Sequence, residues 1–459
     1  MKKNLLPIII GILFLEMRIT MSFSEETFQV EIRELYIQKF IAKMKQVDRE
    51  QGALLEKEGW FYKETAERRV MFTFGEVVLV RRCYIKKGKR RYPVDEYLGL
   101  APYSRYSKEL LYKIAVTAVD LTCRKAAAHF KELLHLDISK DTVCKARKIA
   151  TQLYKEREEF RFFDEEEFIK KEVKVLYIEG DGLLLSTPEA NDKKKKTDFS
   201  HFLIHEGLEK EYGKRQKTVH RHEIWSARNK EAREKVMDYL YNHYEITKDT
   251  LLITNSDMGH GYTPYVFEEI AKTFSCQHIH FWDKYHLRKE ISQMMKPFPL
   301  TFEEGLFQAI AQHDKKAAKE ILNRASALIP EKEDAFGESF ATFSRKLLRN
   351  FAYTKSPESR GLSSAGIGIM ESNHTKLSYR MKKQARHWSV EGALTMGQMI
   401  LDKAEDKLHD LFFGEWREKY EKYKDLERLS VQHFLKRGER SSGIRQVKQA
   451  NKSGRARYF

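Results

Sequence analysis

The sequence predicts an α/β protein, because strand patterns and helix patterns alternate in its second half. Three strand-like runs come first, over 173–185, 199–204 and 219–225. A helical pattern, a strand, a second helical pattern and a fifth strand follow, over 229–244, 250–254, 265–274 and 276–281. This order of three strands, helix, strand, helix and strand predicts an RNase H-like core.

The composition narrows the class of partner. The chain has 459 residues and a formal net charge of +17. That charge favours a polyanionic partner, usually nucleic acid, although a solvated lysine-rich surface also accounts for it. A charged fraction of 33% and a mean hydropathy of −0.61 exclude a multispanning membrane protein, and 12% aromatic residues exclude wholesale disorder. Four cysteines without paired spacing exclude a disulfide scaffold and a CxxC zinc ribbon. A cytoplasmic, nucleoid-associated protein without stable membrane association is expected.

Residues 1–21 form an apolar leader. Its apolar run, over 5–15, follows two lysines and is too short to span a bilayer. The run resembles the core of a signal peptide, but Glu-Met-Arg at 16–18 stands where small cleavage-site residues belong. We interpret the leader as an extension upstream of a true start at Met17 or Met21, or as a short buried helix. A signal or membrane anchor is the alternative.

The region 22–105 is predicted to contain a long helix and a small β-hairpin. Apolar residues lie close to one face of a helix over 22–57, namely Phe28, Ile32, Leu35, Tyr36 and Phe40. Strand runs over 70–74 and 77–80 flank Gly75-Glu76 and predict the hairpin. A basic turn over 86–91 follows, and it suits either contact with phosphates or a solvated loop.

The region 106–165 has the pattern of a helix-turn-helix. Ala127 and Ala128 allow close helix approach, and Ser139 can cap the second helix. The exposed side of that second helix carries four basic residues suited to the DNA major groove, Lys140, Lys145, Arg147 and Lys148. An ordinary helical hairpin fits the same spacing.

The predicted core is interrupted by an insertion. Its first part covers 170–283, and the region 284–355 lacks strand signals and is predicted to be an all-helical insertion. The final core helices are predicted over 356–410. A basic C-terminal helix and tail cover 411–459, with Gly and Ser among the basic residues.

Three acidic residues lie where a metal-dependent phosphodiester chemistry needs them. Such chemistry uses two divalent cations about 3.5–4 Å apart, and Mg²⁺ prefers hard oxygen ligands, with Mn²⁺ as a substitute. In this topology the carboxylates come from the first strand, the end of the fourth strand and a late helix. Asp181, Asp257 and Glu371 occupy these places.

The first two acids have local alternatives. Asp181 lies in an apolar run between Gly180 and Gly182, which we expect to leave room for metal and substrate. A turn aspartate is its alternative, and Glu179 on the same strand face is the competing candidate ligand. Asp257 follows the fourth strand, at the strand end where open α/β sheets bind ligands. An Asx turn explains Asp257 equally well.

Glu371 begins a helix with an apolar stripe and a polar stripe. Met370, Leu377 and Met381 form the apolar stripe. The polar stripe contains Glu371, His374, Ser378 and Lys382. We expect His374 at the rim of the active site and Lys382 in contact with DNA, although a glutamate in a first turn also complements the helix dipole.

A histidine-rich strand leads into a further polar motif. Cys276, His278 and His280 alternate on one strand face, and Asp283 and His286 follow. Zinc binding is one interpretation, but the spacing matches no standard zinc pattern. We favour Asp283 and His286 as residues of the active-site rim, and an ordinary polar helix start is the alternative.

Four segments together resemble the ISLre-type family of bacterial insertion-sequence transposases. They are Ile-Glu-Gly-Asp-Gly at 178–182, Thr-Asn-Ser-Asp-Met-Gly at 254–259, Phe-Trp-Asp-Lys-Tyr-His-Leu at 281–287 and Met-Glu-Ser-Asn-His at 370–374. This family was long catalogued as an uncharacterised protein family and is related to the Mutator-like DDE group. The resemblance covers nearly the whole chain after the leader.

The resemblance implies an RNase H-like domain with a DDE triad at Asp181, Asp257 and Glu371. Asp283 and His286 match that group's (C/D)-x-x-H motif. A transposase of this kind binds double-stranded DNA at terminal inverted repeats and at the target, and it catalyses cleavage and strand transfer with two Mg²⁺ ions. Two DNA ends must be paired, so a homodimer or larger assembly is expected. The alternatives are a DNA-binding regulator or inactive remnant with a dead core, and a structure-specific RNase H-like nuclease.

Overall fold

The computed structural model describes residues 23–160, 169–187, 196–210, 216–330, 334–384 and 386–425. The leader predicted over 1–21 and the tail from 426 onwards lie outside these residues. The chain divides into two compact units, one up to Ile149 and one from Ala150. Within the described residues, no helix combines the length and apolarity that crossing a membrane requires.

The first unit begins with the long helix α1, Glu25–Lys57, as predicted. The Ser24 hydroxyl accepts a hydrogen bond from the Thr27 amide and caps it. The second half of α1 buries Met44, Val47 and Leu55. Much of the apolar face predicted for its first half is exposed instead, since Phe28, Ile32, Leu35 and Tyr36 keep about half of their surface accessible.

A β-sheet of three antiparallel strands packs on α1. Its strands are β1, Phe61–Phe72, β2, Gly75–Lys86, and β3, Lys89–Arg91. The hairpin is longer than predicted and turns at 73–74, where Phe72 pairs with Gly75. The predicted basic turn joins β2 to β3, and the short helix α2, Pro93–Tyr97, follows.

Three helices follow in the first unit, and the last of them continues into the second. They are α3, Lys108–Asp120, α4, Cys123–Leu134, and α5, Lys140–Phe160. The predicted cap of α5 is confirmed, because the Ser139 hydroxyl accepts a hydrogen bond from the Thr142 amide. Ala126 is the fully buried small residue of α4, whereas Ala127 is partly buried and Ala128 is exposed.

The second unit contains a mixed five-stranded sheet. Its strands are β5, Val175–Ser186, β6, Lys196–His205, β9, His222–Ser226, β11, Leu251–Ser256, and β12, Gln277–Trp282. They lie side by side in the order β12-β11-β5-β6-β9. β6 is antiparallel to both β5 and β9, whereas β11 is parallel to both β5 and β12. Four short strands lie outside this sheet, β4, Lys171–Glu172, β7, Leu208–Lys210, β8, Gln216–Thr218, and β10, Tyr244–Glu245.

Helices cover both faces of the sheet. On one face, α6, Asn229–His243, and α7, Pro264–Thr273, pack on a core that includes Ile178, Phe202 and Ile224. On the other face lie α12, Met370–Met381, and α13, Val390–Ala404. The predicted apolar stripe of α12 is buried, with Met370, Leu377 and Met381 each at most 4% exposed. The short helix α14, Leu408–Phe413, follows α13.

The described residues from Lys284 to Thr354 form helices only. These are α8, Lys284–Met295, α9, Leu300–Ala311, α10, Lys315–Ser326, α11, Asp334–Arg349, and a 3-10 turn, Phe351–Thr354. They share a core of buried side chains that includes Ile291, Leu306, Leu322, Phe340 and Leu347. A second 3-10 turn, Glu358–Arg360, precedes α12.

The contact of α13 with the sheet depends on one glycine. The Trp225 ring of β9 stacks on Phe199, with ring centroids 5.2 Å apart, and its Nε1 donates to the Ala393 carbonyl. A Cβ atom at Gly397 would lie only 2.2 Å from Trp225 Nε1. The missing side chain at position 397 therefore allows this packing.

Gly397→Ala is expected to lower the melting temperature, measured by thermal unfolding. A helical Gly→Ala change usually stabilises by about 1 kcal/mol, but displacing the Trp225 ring costs about 1–3 kcal/mol. Gly337→Ala in α11 is the control, because its new methyl group would meet only Ile329, at 3.9 Å. That variant is expected to melt at or above the wild-type temperature. Equal gains for both variants would contradict the packing argument.

Candidate metal centre

Asp181 and Asp257 lie side by side at one end of the sheet. β5 runs without a break through Gly180-Asp181-Gly182, so Asp181 is a strand residue and not a turn residue. β11 runs parallel to β5 and pairs its last residue, Ser256, with Gly180. Asp257 is the next residue, so it follows the adjacent strand level with Asp181, and neighbouring strands lie about 4.8 Å apart.

Glu371 and His286 converge on Asp181 from two helices. Glu371 lies in the first turn of α12, and His286 lies in the first turn of α8. One potential ligand atom from each of Asp181, His286 and Glu371 lies within 4.8 Å of the others. His286 Nε2 is 3.5 Å from Glu371 Oε2. Among the described residues, no other three side chains of Asp, Glu, His or Cys bring their potential ligand atoms this close together.

The cluster is electrostatically strained without a cation. Burial, and then the negative charge of Asp257, raise the pKa of Asp181 to about 7. His286 and a 2.7 Å hydrogen bond from the Gly182 amide oppose this rise, and Glu371 adds to it. Three carboxylates and an imidazole are ligands that suit Mg²⁺ or Mn²⁺. A divalent cation here would relieve the repulsion.

The loop after β11 fixes the Asp257 carboxylate. Asp257 Oδ1 accepts a 2.8 Å hydrogen bond from the Gly259 amide, and Met258 between them has a φ of 61°. A Cβ atom at Gly259 would lie 2.8 Å from the same carboxylate oxygen. Asp257 therefore forms the Asx turn that was the alternative interpretation. The turn does not prevent Asp257 from lying beside Asp181.

The expected space beside Asp181 is not there. Gly180 and Gly182 alternate with Asp181 along β5 and face the opposite side of the sheet. A Cβ atom at Gly180 would lie 2.8 Å from Tyr262, and one at Gly182 would lie 2.5 Å from Asp198 Oδ1. The glycines make room for these side chains and not for metal or substrate.

Asp198 is a further carboxylate near the site that the sequence reasoning missed. It lies on β6, and burial and the charge of Asp257 raise its pKa. No local pattern marked it, because a run of lysines precedes it closely in the sequence.

Glu179 holds the helix that carries Glu371. Its side chain is 1% exposed, and Oε1 accepts hydrogen bonds of 2.7 and 3.3 Å from the Gly368 and Ile369 amides. Oε2 accepts a 2.8 Å bond from the Met370 amide. Burial raises the pKa of Glu179 to about 7, and these amides oppose the rise. The competing candidate ligand is therefore engaged at the start of α12 and is not in the metal group.

Two residues expected at the rim are buried instead. Asp283 caps α8, with Oδ1 accepting from the His286 amide and Oδ2 accepting from Asn255 Nδ2, both at 2.9 Å. This cap orients the helix start from which His286 reaches Glu371. His374 is 6% exposed, and its Nδ1 lies 3.3 Å from Nδ1 of His201. Its pKa is lowered to about 3, mainly by burial.

A buried charge network fastens α12 to the sheet behind the cluster. Glu223 of β9 contacts His201 Nε2 at 2.8 Å and accepts a hydrogen bond from Lys376 of α12. Burial raises the pKa of Glu223, but His201 and Lys376 outweigh this and hold it at about 2. Arg221 reaches both Glu223 and Asn373, each at 3.3 Å.

The histidine-rich strand is satisfied without metal. His278 Nε2 and His280 Nδ1 lie 2.8 and 2.7 Å from the same hydroxyl, Thr254 Oγ1. Cys276 Sγ lies 3.6 Å from the Ala271 carbonyl oxygen. Hydrogen bonding accounts for these side chains, and nothing in the geometry favours zinc.

The predicted DNA-contacting residues lie on two helices. Lys140, Lys145 and Lys148 are exposed on α5, and Lys382 is exposed where α12 ends. Arg147 is partly buried, with Nη1 3.8 Å from Cys123 Sγ. The lysines are therefore accessible to a polyanion.

Comparisons with known proteins give a family but no activity. Residues 17–419 match the sequence model of a family described as an uncharacterised protein family, UPF0236. A UPF0236 protein in the vanSb 3′ region of Streptococcus gallolyticus is 29% identical over 343 residues, 74% of this chain and 73% of that protein. UPF0236 proteins of Caldanaerobacter subterraneus subsp. tengcongensis are 22% identical over 366 residues, 78% of this chain and 68–72% of theirs.

Among solved structures, the Drosophila P element transposase strand transfer complex matches at 10% identity with a TM-score of 0.23. The match covers 69% of this chain and 83% of that chain. Similarity this low decides neither fold nor function.

Glu179→Gln is expected to destabilise the protein and weaken binding of Mn²⁺. The amide group of glutamine offers one acceptor where the carboxylate has two, so a buried bond to the start of α12 is lost, at a cost of about 1–3 kcal/mol. Thermal unfolding and calorimetric titration with Mn²⁺ test this. Glu172→Gln, at an exposed glutamate of β4, is the control. Unchanged Mn²⁺ affinity in folded Glu179→Gln protein would refute the anchoring role.

Asp181→Asn is expected to stabilise the metal-free protein more at pH 8 than at pH 5. The folded-state pKa of Asp181, about 7, exceeds its usual 3.8, so the folded protein holds this proton more tightly than the unfolded chain. Stability therefore falls as pH rises from about 4 to 7, and asparagine removes the penalty, by about 2–4 kcal/mol at pH 8. Melting temperatures in chelator at both pH values provide the measurement. A gain independent of pH would contradict the charge repulsion.

Proposed function

This chain belongs to the uncharacterised protein family UPF0236, and we propose that it is a DDE transposase of a bacterial insertion sequence. The observation that carries the proposal is the convergence of Asp181, Glu371 and His286, with Asp257 directly after the strand next to Asp181. Asp181 and Glu371 share a group of ligand atoms within 4.8 Å. The charge of Asp257 acts directly on Asp181, which lies level with it on the next strand.

The sheet topology supports an RNase H-like core around these residues. Three antiparallel strands, β5, β6 and β9, are followed along the chain by β11 and β12, which extend the sheet on the other side of β5 and run parallel to it. This places Asp181 on the central strand and Asp257 at the carboxyl end of its parallel neighbour. Ligand sites of open α/β sheets lie at such strand ends.

The residues are suited to phosphodiester chemistry with two metal ions. Two bound Mg²⁺ ions would stabilise the attacking and leaving oxygens of an in-line displacement. Asp181 and Asp257 would supply ligands from fixed strand positions. Glu371, with 45% of its side chain exposed, reaches the cluster from the open side. His286 lies against Glu371 and holds it towards Asp181. The same carboxylates would serve DNA cleavage and then attack by the freed 3′-hydroxyl on target DNA.

Basic residues provide for binding to double-stranded DNA. Lys140, Lys145 and Lys148 project from α5, and Lys382 ends the helix that carries Glu371. Eleven residues separate Glu371 from Lys382, or about 16 Å along the helix, so Lys382 is placed to contact a phosphate a few nucleotides from the cluster. A net charge of +17 predicts binding that weakens steeply with salt. Pairing of two element ends calls for a homodimer or larger assembly.

The names of the relatives support a mobile element. One Caldanaerobacter relative carries eleven locus designations in a single protein name, and two others carry four and two. Transposition places the same coding sequence at many loci. The repeated loci are therefore what the proposed activity would produce.

Purified protein with labelled element ends, a target plasmid and Mg²⁺ is expected to cleave the ends and join them to the target. Asp181→Asn, Asp257→Asn and Glu371→Gln are each expected to reduce cleavage and joining by at least about 100-fold, because each removes a ligand charge. Binding to the ends should stay within about threefold of wild type. Asp249→Asn, just before the opposite end of β11, is the matched control and should remain active.

The outcomes separate the proposal from its alternatives. Cleavage without strand transfer would indicate a structure-specific nuclease, and binding without cleavage would indicate a regulator or an inactive remnant. Normal cleavage by Asp181→Asn would refute the metal assignment.

A further inference from the structure

Two of the four cysteines face each other across the predicted helix-turn-helix. Cys123 is the first residue of α4, and Cys144 lies in the second turn of α5. Their Sγ atoms are 3.4 Å apart, and both residues are partly exposed. The other two cysteines differ, since Cys83 is fully buried in the first unit and Cys276 belongs to the second. Neither the metal cluster nor the proposed DNA chemistry uses this pair.

The surroundings of the two sulfur atoms differ, because a guanidinium lies against Cys123. The Cys144 thiol donates its hydrogen to Cys123 Sγ, and Arg147 Nη1 lies 3.8 Å from the same sulfur. A thiol donor and a guanidinium both stabilise negative charge on an acceptor sulfur. Burial raises the pKa of the Cys144 thiol, as expected for the partner that keeps its proton. Cys123 is therefore the nucleophile of the pair, and Cys144 is the resolving thiol.

We propose that Cys123 and Cys144 form a reversible disulfide with a low-molecular-weight disulfide as oxidant. The Cys123 thiolate attacks one sulfur of oxidised glutathione, which forms a mixed disulfide and releases one glutathione thiolate. Cys144 then gives up its proton and attacks the Cys123 sulfur, which releases the second glutathione. The protein loses two electrons as a disulfide, oxidised glutathione gains them, and the two released thiolates take up the protons.

The geometry requires only a small movement. A disulfide bond is about 2.0 Å long, so the two sulfur atoms need to approach by about 1.4 Å, within reach of side-chain rotation. The bond would tie the first turn of α4 to the early part of α5, the helix that carries Lys140, Lys145 and Lys148. It would also turn the thiol beside Arg147 into a disulfide sulfur. The proposal holds whether or not the chain is a transposase, because it concerns only thiols and their neighbours.

Full-length protein equilibrated with mixtures of oxidised and reduced glutathione provides the test. Before alkylation, the intact mass of the oxidised protein should be about 2 Da below that of the reduced form, and alkylation of the unfolded protein should then modify two thiols instead of four. Peptide mapping without reductant should join the peptides that contain Cys123 and Cys144. The oxidised protein should melt at a higher temperature, since the bond closes a loop in the unfolded chain.

Variants identify each role. The Cys144→Ser protein should stop at the mixed disulfide between Cys123 and glutathione. The Cys123→Ser protein should react with oxidised glutathione more slowly than wild type, and Cys276→Ser should behave as wild type. Arg147→Gln should react with oxidised glutathione at least about threefold more slowly at pH 7, and Arg147→Lys should restore the rate. A disulfide between other cysteines or between two chains would overturn the proposal, as would four thiols that stay alkylatable in excess oxidised glutathione.

Discussion

The candidate centre depends on one buried carboxylate that is not itself a metal ligand. Glu179 accepts three backbone amides at the start of α12, and Glu371 lies one residue beyond the last of them. Glu179 and Asp181 lie two residues apart on the same face of β5. A single strand therefore fixes both Asp181 and the start of the helix that brings Glu371. The two-residue spacing of Glu179 and Asp181 along β5 therefore helps to set the distance between Asp181 and Glu371.

Two carboxylates of the same strand differ in how their buried charge is compensated. Both have a pKa raised to about 7 by burial. Three amides satisfy Glu179, whereas Asp181 accepts one backbone bond and faces the charge of Asp257. Burying a carboxylate is costly unless donors or a cation compensate it. Glu179 has its donors, whereas Asp181 is the carboxylate that a bound cation would compensate.

Behind the cluster, paired charges keep α12 in place. Glu223 joins His201 of the sheet to Lys376 of α12, and Arg221 reaches Asn373 of the same helix. Removing one partner from such a buried group is costly because the remaining charge loses its compensation. The start of α12 is thus fixed by Glu179 and its middle by Glu223. Rigid support of this kind is what a metal site requires of the elements that carry its ligands.

Local patterns by themselves determined the elements. The alternation along β5, the cap at Ser139 and the apolar stripe of α12 each depend on residues close in sequence, so contiguous sequence encodes them. Only the tertiary structure decided which acidic residue lies in the candidate metal group and which one anchors a helix. Glu179 and Asp181 share a strand face and a residue class, and only the backbone of residues 368–370 distinguishes them. Asp283 likewise accepts a hydrogen bond from Asn255 of β11, and burial and the charge of Asp257 raise the pKa of Asp198 of β6. Long-range packing selects such partners, and no local pattern encodes them.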